Sequence, residues 1–275
     1  MNPWLETAGV TLVVLGGILL GRMFSSLRRP YWAFGYFIPL VFVAILVAAR
    51  YINSLVFVPP FSLITTGRVK FVILALAVTT GLTTPLSRLP HKFEKVVTHI
   101  LIAVVVTYFS ILPFLLPALA KNHLLNLRTR VNSNGICFQT KDYTCGPAAA
   151  VTALRKLGFQ AHEGEIAVLS HTSPILGTLP GCLSTALQSR YSIDGLKCRY
   201  RRFDSLAELR DAGITLAVVR DGFLSNHCVA VLEVSEQMVS VADPVVGRKL
   251  MSHKQFEKIW RFSGIVLKRD STQSI

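Results

Sequence analysis

Four apolar runs, separated by cations, fill the first 120 residues and constrain what this chain can fold into. They cover about 5–21, 31–49, 71–86 and 96–120. A helix needs about 20 consecutive apolar residues to cross a bilayer, with roughly 17–25 tolerated. The second and fourth runs meet that length. The first and third meet it only if flanking Trp4, Met23, Phe24 or Leu89 join them. Arg22, Arg28, Arg29, Arg50, Arg68, Lys70, Arg88, Lys92, Lys95 and Lys121 bound the runs, and Glu6 and Glu94 are the acids of this half. Trp4, Tyr31 and Trp32 suit interface anchors. The expectation is an all-α transmembrane bundle of about four helices over residues 1–120, a multi-pass membrane anchor.

The first run does not read as a cleaved signal. Its leading MNPWLE carries no positive charge, and no small-x-small site precedes a soluble domain. Segment 51–66 holds Pro59 and Pro60 and reads as a surface loop. Pro113 and Pro117 kink the fourth run, which membrane helices tolerate. His99 lies within about one turn of that run's start and reads as an interfacial, snorkelling side chain. The cations divide evenly between alternate loops, so charge does not fix the side of the membrane on which the second half lies.

From Lys121 the composition becomes that of a globular domain. The net charge of +14 is spread over both halves and forms no single basic patch. Anionic lipid headgroups, rather than nucleic acid, are its expected counterpart. The five cysteines, Cys137, Cys145, Cys182, Cys198 and Cys228, all lie in the second half, and no two have C-x-x-C spacing. That is neither a disulfide framework nor a metal-ligand set. No metal or cofactor is expected.

Residues 121–135 read as a polar connector ending in the turn signal Asn-Ser-Asn-Gly. Beyond it, 148–157 is a helix stopped by Gly158, with Pro147 in its first turn. Further helices are expected at 163–170, 183–191, 205–211 and 252–260. Strands are expected at 196–203, 215–220, 227–234, 238–242 and 264–267. Helices followed mostly by strands indicate an α+β domain over 136–270.

One constellation in this half carries chemistry. A thiol is a good nucleophile as thiolate, and Cys145 sits at a helix start, where unpaired N–H groups and about half a positive charge favour an anion. Gly146 beside it leaves room for a substrate backbone. A cysteine peptidase also needs a base, an orienting group and oxyanion donors. His227 opens a predicted strand. Asp243 ends the next one, and adjacent antiparallel strands bring the two together, so that the carboxylate fixes the imidazole tautomer. Gln139 precedes Cys145 in the approach to the helix. Its amide donates without titrating, and the Cys145 N–H is a second donor.

At these residues the sequence resembles the bacteriocin-processing cysteine peptidases, the papain-like double-glycine leader peptidases. The resemblance rests on Gln139-x5-Cys145-Gly146-Pro147-Ala148, His227 and Ala242-Asp243-Pro244, within DYTCGPAAA, DGFLSNHCVAVLEV and VADPVVG. It covers about residues 136–268. It implies Cys145 as nucleophile, His227 as general base, Asp243 as orienting acid and Gln139 as oxyanion donor. The expected function is a membrane-anchored cysteine endopeptidase that cleaves a peptide or propeptide through an acyl-enzyme, with a Gly-Gly leader junction as one candidate cleavage site. The membrane part precedes the peptidase part here, and no G-x-x-x-x-G-K-S/T nucleotide loop occurs in the chain. Export would therefore fall to a separate transporter. Cys228 follows His227 where the family often has an aromatic residue. Two other readings remain open at this level. One is a non-proteolytic peptide-binding sensor; the other is a transpeptidase or amidase using the same triad.

Overall fold

The structure is a computed structural model that describes residues 3–52, 57–58, 61, 69–222 and 226–270. The chain divides into two compact units between Leu119 and Ala120. Segment 51–66 lies largely outside the described residues, as do Phe223, Leu224 and Ser225.

The first unit is helical: α1 (Pro3–Ser26), α2 (Phe34–Tyr51), α3 (Val69–Thr83), α4 (Lys92–Val106) and α5 (Leu112–Leu119). The expected lengths are redistributed. The first and third runs, marginal by sequence, give the two helical stretches among the described residues that are long and apolar enough to cross a membrane, Trp4–Ser26 and Val69–Arg88. Flanking residues lengthen them, because Met23 and Phe24 stay helical in α1 and a 3-10 turn over Leu86–Arg88 extends α3. The second run yields the shorter apolar stretch Tyr31–Ile45. The fourth is divided by a π-helical turn at Thr107–Ile111. Pro117 lies inside α5, where it donates no backbone hydrogen bond.

Helix α1 packs against α3 along a seam of small residues. A Cβ at Gly17 or Gly21 would overlap the Thr79 or Thr83 hydroxyl. The threonines satisfy themselves locally: Thr79 Oγ1 donates to Ala75 O at 2.7 Å and Thr83 Oγ1 to Thr79 O at 2.6 Å. Thr79, Thr80, Thr83 and Thr84 are buried, while Leu12, Leu19, Phe37, Leu40, Ile100 and Val104 are exposed. This burial is inverted relative to a water-soluble bundle, which hides its large apolar groups.

The second unit has the expected α+β class. Six antiparallel strands form a sheet in the order β3–β8–β4–β5–β6–β7. They are β3 (Leu196–Arg202), β4 (Thr215–Arg220), β5 (Asn226–Val234), β6 (Met238–Asp243), β7 (Gly247–Ser252) and β8 (Trp260–Arg269). Period-two alternation feeds two cores. Leu216, Ala230, Ala242, Ile265 and Leu267 meet α7 (Cys145–Lys156), α8 (Glu163–Leu169) and α9 (Pro180–Tyr191). The intervening Ala217, Val229, Val231, Val241 and Val266 meet Phe203, α10 (Leu206–Ala212) and α11 (His253–Ile259). Both faces are therefore covered, which is why β4 is buried along nearly its whole length.

Several boundaries differ from expectation. Strand β8 begins at Trp260 rather than at Gly264, because Trp260 turns out of helical geometry to pack between Phe203 and Phe256. Strand β7 was not expected. It is a charged edge strand, which conceals apolar alternation. Helix α9 starts earlier, with Pro180 in its first turn. The connector is structured: α6 (Lys121–Leu125) buries Leu124, and β1 (Arg130–Val131) pairs with β2 (Cys137–Phe138).

Candidate active site

Cys145 is the first residue of α7. The helix is set by Thr144, whose carbonyl accepts from Ala148 N at 3.0 Å and whose hydroxyl closes a turn with Lys141. Residues 146–154 are all buried, so α7 is the central helix of its core and its start is held rigidly. Its other end is capped by Arg269, which donates to Leu157 O at 3.0 Å next to Gly158, in the left-handed region at φ +82°. Gly146 is tightly packed: a Cβ there would sit 3.1 Å from Thr178 Cβ.

His227 lies in β5 and Asp243 ends β6. The strands pair with Ala230 opposite Ala242. One residue further, Asp243 is level with Val229, and His227 becomes its diagonal neighbour on the same face. His227 Nε2 lies 3.0 Å from Asp243 Oδ1. The Cys145 thiol lies close enough to the same imidazole to favour its charged form. The structure therefore brings Cys145, His227 and Asp243 together.

The electrostatics follow from these contacts. Burial opposes the imidazolium. The hydrogen bonds and charges of Asp243 and Cys145 outweigh burial and raise the His227 pKa to about 9. Asp243 moves the other way. Burial opposes its charge, but hydrogen bonds from His227, the Val245 N–H and Lys249, with the imidazolium charge, hold it well below the usual carboxylate range. The Val245 N–H is 2.9 Å from Oδ1 and Lys249 Nζ is 3.0 Å from Oδ2. Burial pushes Cys137 and Cys198 up to about 12. Burial and the neighbouring Cys145 push Cys228 well up. These three thiols stay protonated at neutral pH.

Gln139 follows β2, and its backbone is held on both sides. Its N–H donates to Pro244 O at 2.9 Å, tying it to the residue after Asp243, and its carbonyl accepts from Arg130 Nη2 at 3.0 Å. Its side-chain Oε1 is buried and has no hydrogen-bond partner, alone in this among the described residues. Half a turn of the amide presents Nε2 to the same space.

Sequence reasoning missed Lys249, the Val245 N–H and Glu163. Lys249 was hidden because β7 was not recognised. The alternation of Arg248, Lys249 and Leu250 along an edge strand is the signal that would have found it. Glu163 accepts from Thr140, next to Gln139. No local pattern marks it, since the contact joins segments far apart in the chain.

Known proteins share this half of the chain. A protein of Methanothermobacter marburgensis, itself uncharacterized, is 30% identical over 147 residues, 54% of this chain and 97% of the relative. Another uncharacterized protein, from Methanothermobacter thermautotrophicus, is 29% identical over 143 residues, 52% of this chain and 94% of the relative. Among solved structures, the peptidase domain of Streptococcus ComA, a bi-functional ABC transporter of a quorum-sensing pathway, superposes with a TM-score of 0.43 at 21% identity, covering 48% of this chain and 96% of that domain. A double glycine motif protease from an AMS/PCAT transporter, solved with its leader peptide, gives a TM-score of 0.42 at 15% identity, covering 52% and 93%. The family model described as the Peptidase C39 family matches residues 133–274, more than half of the chain. The chain belongs to the Peptidase C39 family.

Proposed function

We propose that this protein is a membrane-anchored cysteine endopeptidase that cleaves a leader-bearing peptide or propeptide at a Gly-Gly-type junction. The observation that carries the reading is the His227–Asp243 pair, 3.0 Å apart, within electrostatic reach of the Cys145 thiol at the start of a buried helix. With a pKa raised to about 9, His227 is an imidazolium at neutral pH, the partner a thiolate needs.

In this mechanism Cys145 Sγ attacks the scissile carbonyl and a C–S bond forms. The carbonyl oxygen takes the negative charge and is met by the Cys145 N–H and the Gln139 amide. The C–N bond then breaks as His227 gives its proton to the leaving amine. Water, deprotonated by His227, attacks the thioester and releases the thiol. Asp243 keeps the ring oriented throughout. Gln139 supports this role by having a buried amide oxygen with no hydrogen-bond partner, which a flip of the amide would exchange for the donor nitrogen.

The helical unit serves as a multi-pass anchor in which all four apolar runs contribute. Support comes from its burial pattern, with large apolar side chains outside and threonines inside. Small residues at helix contacts suit association in lipid. The chemistry would then act beside a membrane, on peptides passing to or from an exporter. Purified full-length protein should cleave a leader peptide carrying a Gly-Gly junction, and Cys145→Ala should not. Equal turnover by both forms would end the proposal.

A further inference from the structure

Glu163 is a fully buried carboxylate that the mechanism leaves unused. Burying such a group is costly unless its oxygens are matched. Both are spent on one residue. Oε1 accepts the Thr140 N–H at 2.8 Å, and Oε2 accepts the Thr140 hydroxyl at 2.6 Å. Thr140 directly follows Gln139. The Glu163 N–H in turn donates to Thr129 Oγ1 at 2.9 Å, and Thr140 Oγ1 lies 3.1 Å from Arg128 O. Arg130 completes the set on the Gln139 carbonyl. Four backbone polar groups of residues 139–141 are thus accounted for around the Gln139 side chain. The Gln139 N–H and C=O are tied to Pro244 and Arg130, the Thr140 N–H to Glu163, and the Lys141 N–H to Thr144 Oγ1 at 3.1 Å.

An oxyanion donor works only if it lies at about 3 Å from where charge develops, without reorganising as the reaction proceeds. A side chain on a loose segment fails this requirement. We infer that Glu163 is a positioning residue for Gln139, clamping Thr140 and the connector segment 128–130 so that the Gln139 amide is fixed before substrate arrives. The inference rests on the reading of Gln139 as an oxyanion donor.

Two probes of the same sulfur separate this role from a general structural one. The 4-nitrophenyl ester of N-acetylglycylglycine acylates Cys145 through an oxyanion and releases 4-nitrophenolate. Iodoacetamide alkylates it by displacing iodide at a saturated carbon, with no oxyanion. In full-length protein in detergent, Glu163→Ala should slow acylation about tenfold and leave alkylation within about twofold. Glu163→Gln should recover most of the rate, because its amide can accept from the Thr140 N–H and donate to the Thr140 hydroxyl. Gln139→Ala should slow acylation about 100-fold, and adding Glu163→Ala to it should cost nothing more. If Glu163→Ala loses its cooperative melt, Thr140→Val carries the test with the same selective signature. Equal loss with both probes, no loss with either, or additive loss in the double variant overturns the positioning role. If Gln139→Ala shows no selective loss, the oxyanion reading falls and this inference with it. The peptidase reading stands in that case as long as Cys145→Ala silences both probes.

Discussion

His227 and Asp243 hold each other in their charged forms, and this coupling governs how the molecule responds to pH. The His227 pKa is raised from 6.5 to about 9. The stability it supplies is therefore complete below the unfolded value and is lost as pH rises through about 9. Asp243 is depressed, so its contribution is present above the ordinary carboxylate value and is lost only in strong acid. In a peptidase that needs imidazolium to protonate the leaving amine, kcat/KM should fall above a limb near pH 9, measurable as a pH–rate profile. Asp243→Asn should move that limb down by about 1–2 units and lower kcat/KM about 100-fold. Lys249→Met should move it slightly upward, by less than about half a unit, because the ammonium is partly exposed and screened. A limb that stays fixed in Asp243→Asn would remove the carboxylate from the scheme. Cys145, His227, Asp243 and Gln139 could be named as candidates from the sequence because each belongs to a local motif. Lys249 and Glu163 could not, since each acts on the site through a fold contact alone.

Among the elements, the α1–α3 seam and the β4–β8 pair show how backbone proximity restricts side-chain choice. Gly21 meets Thr83, whereas Gly16, on the same helix, has open space where a Cβ would go. Gly21→Val should lower the thermal stability of the detergent-solubilised protein by about 1–3 kcal/mol, while Gly16→Val should be near neutral. Equal effects would show that the seam does not hold the helices together. In the sheet, a Cβ at Gly264 would lie 2.7 Å from Thr215 Cγ2 and 2.8 Å from Leu216 O. Gly264→Ala should cost about 1–3 kcal/mol by the same overpacking, read from denaturant unfolding. Most helices and central strands of the second unit were legible because their apolar periods are clear. Strands β1, β2 and β7 were not. The first two are two residues long, and the third is an exposed edge whose charges mask its period.

On the scale of the whole molecule, two helices among the described residues are long and apolar enough to cross a membrane, and the first unit exposes large apolar side chains while burying hydroxyls. The full chain should remain in the membrane pellet after alkaline carbonate washing and should require detergent for extraction. Release into the wash would contradict the anchor. Apolar runs, helix and strand periods, and the Cys–His–Asp–Gln motif were set by the sequence alone, because each depends on neighbours within a few residues. Tertiary structure decided which runs became long helices, since a π-helical turn and a 3-10 extension depend on packing against other helices. It also decided that His227 reaches Asp243 diagonally across β5 and β6, that Lys249 joins them, and that a buried carboxylate secures the residue beside Gln139. Those contacts arise only once sheet register and helix docking bring distant segments within hydrogen-bond length, a condition that no local pattern encodes.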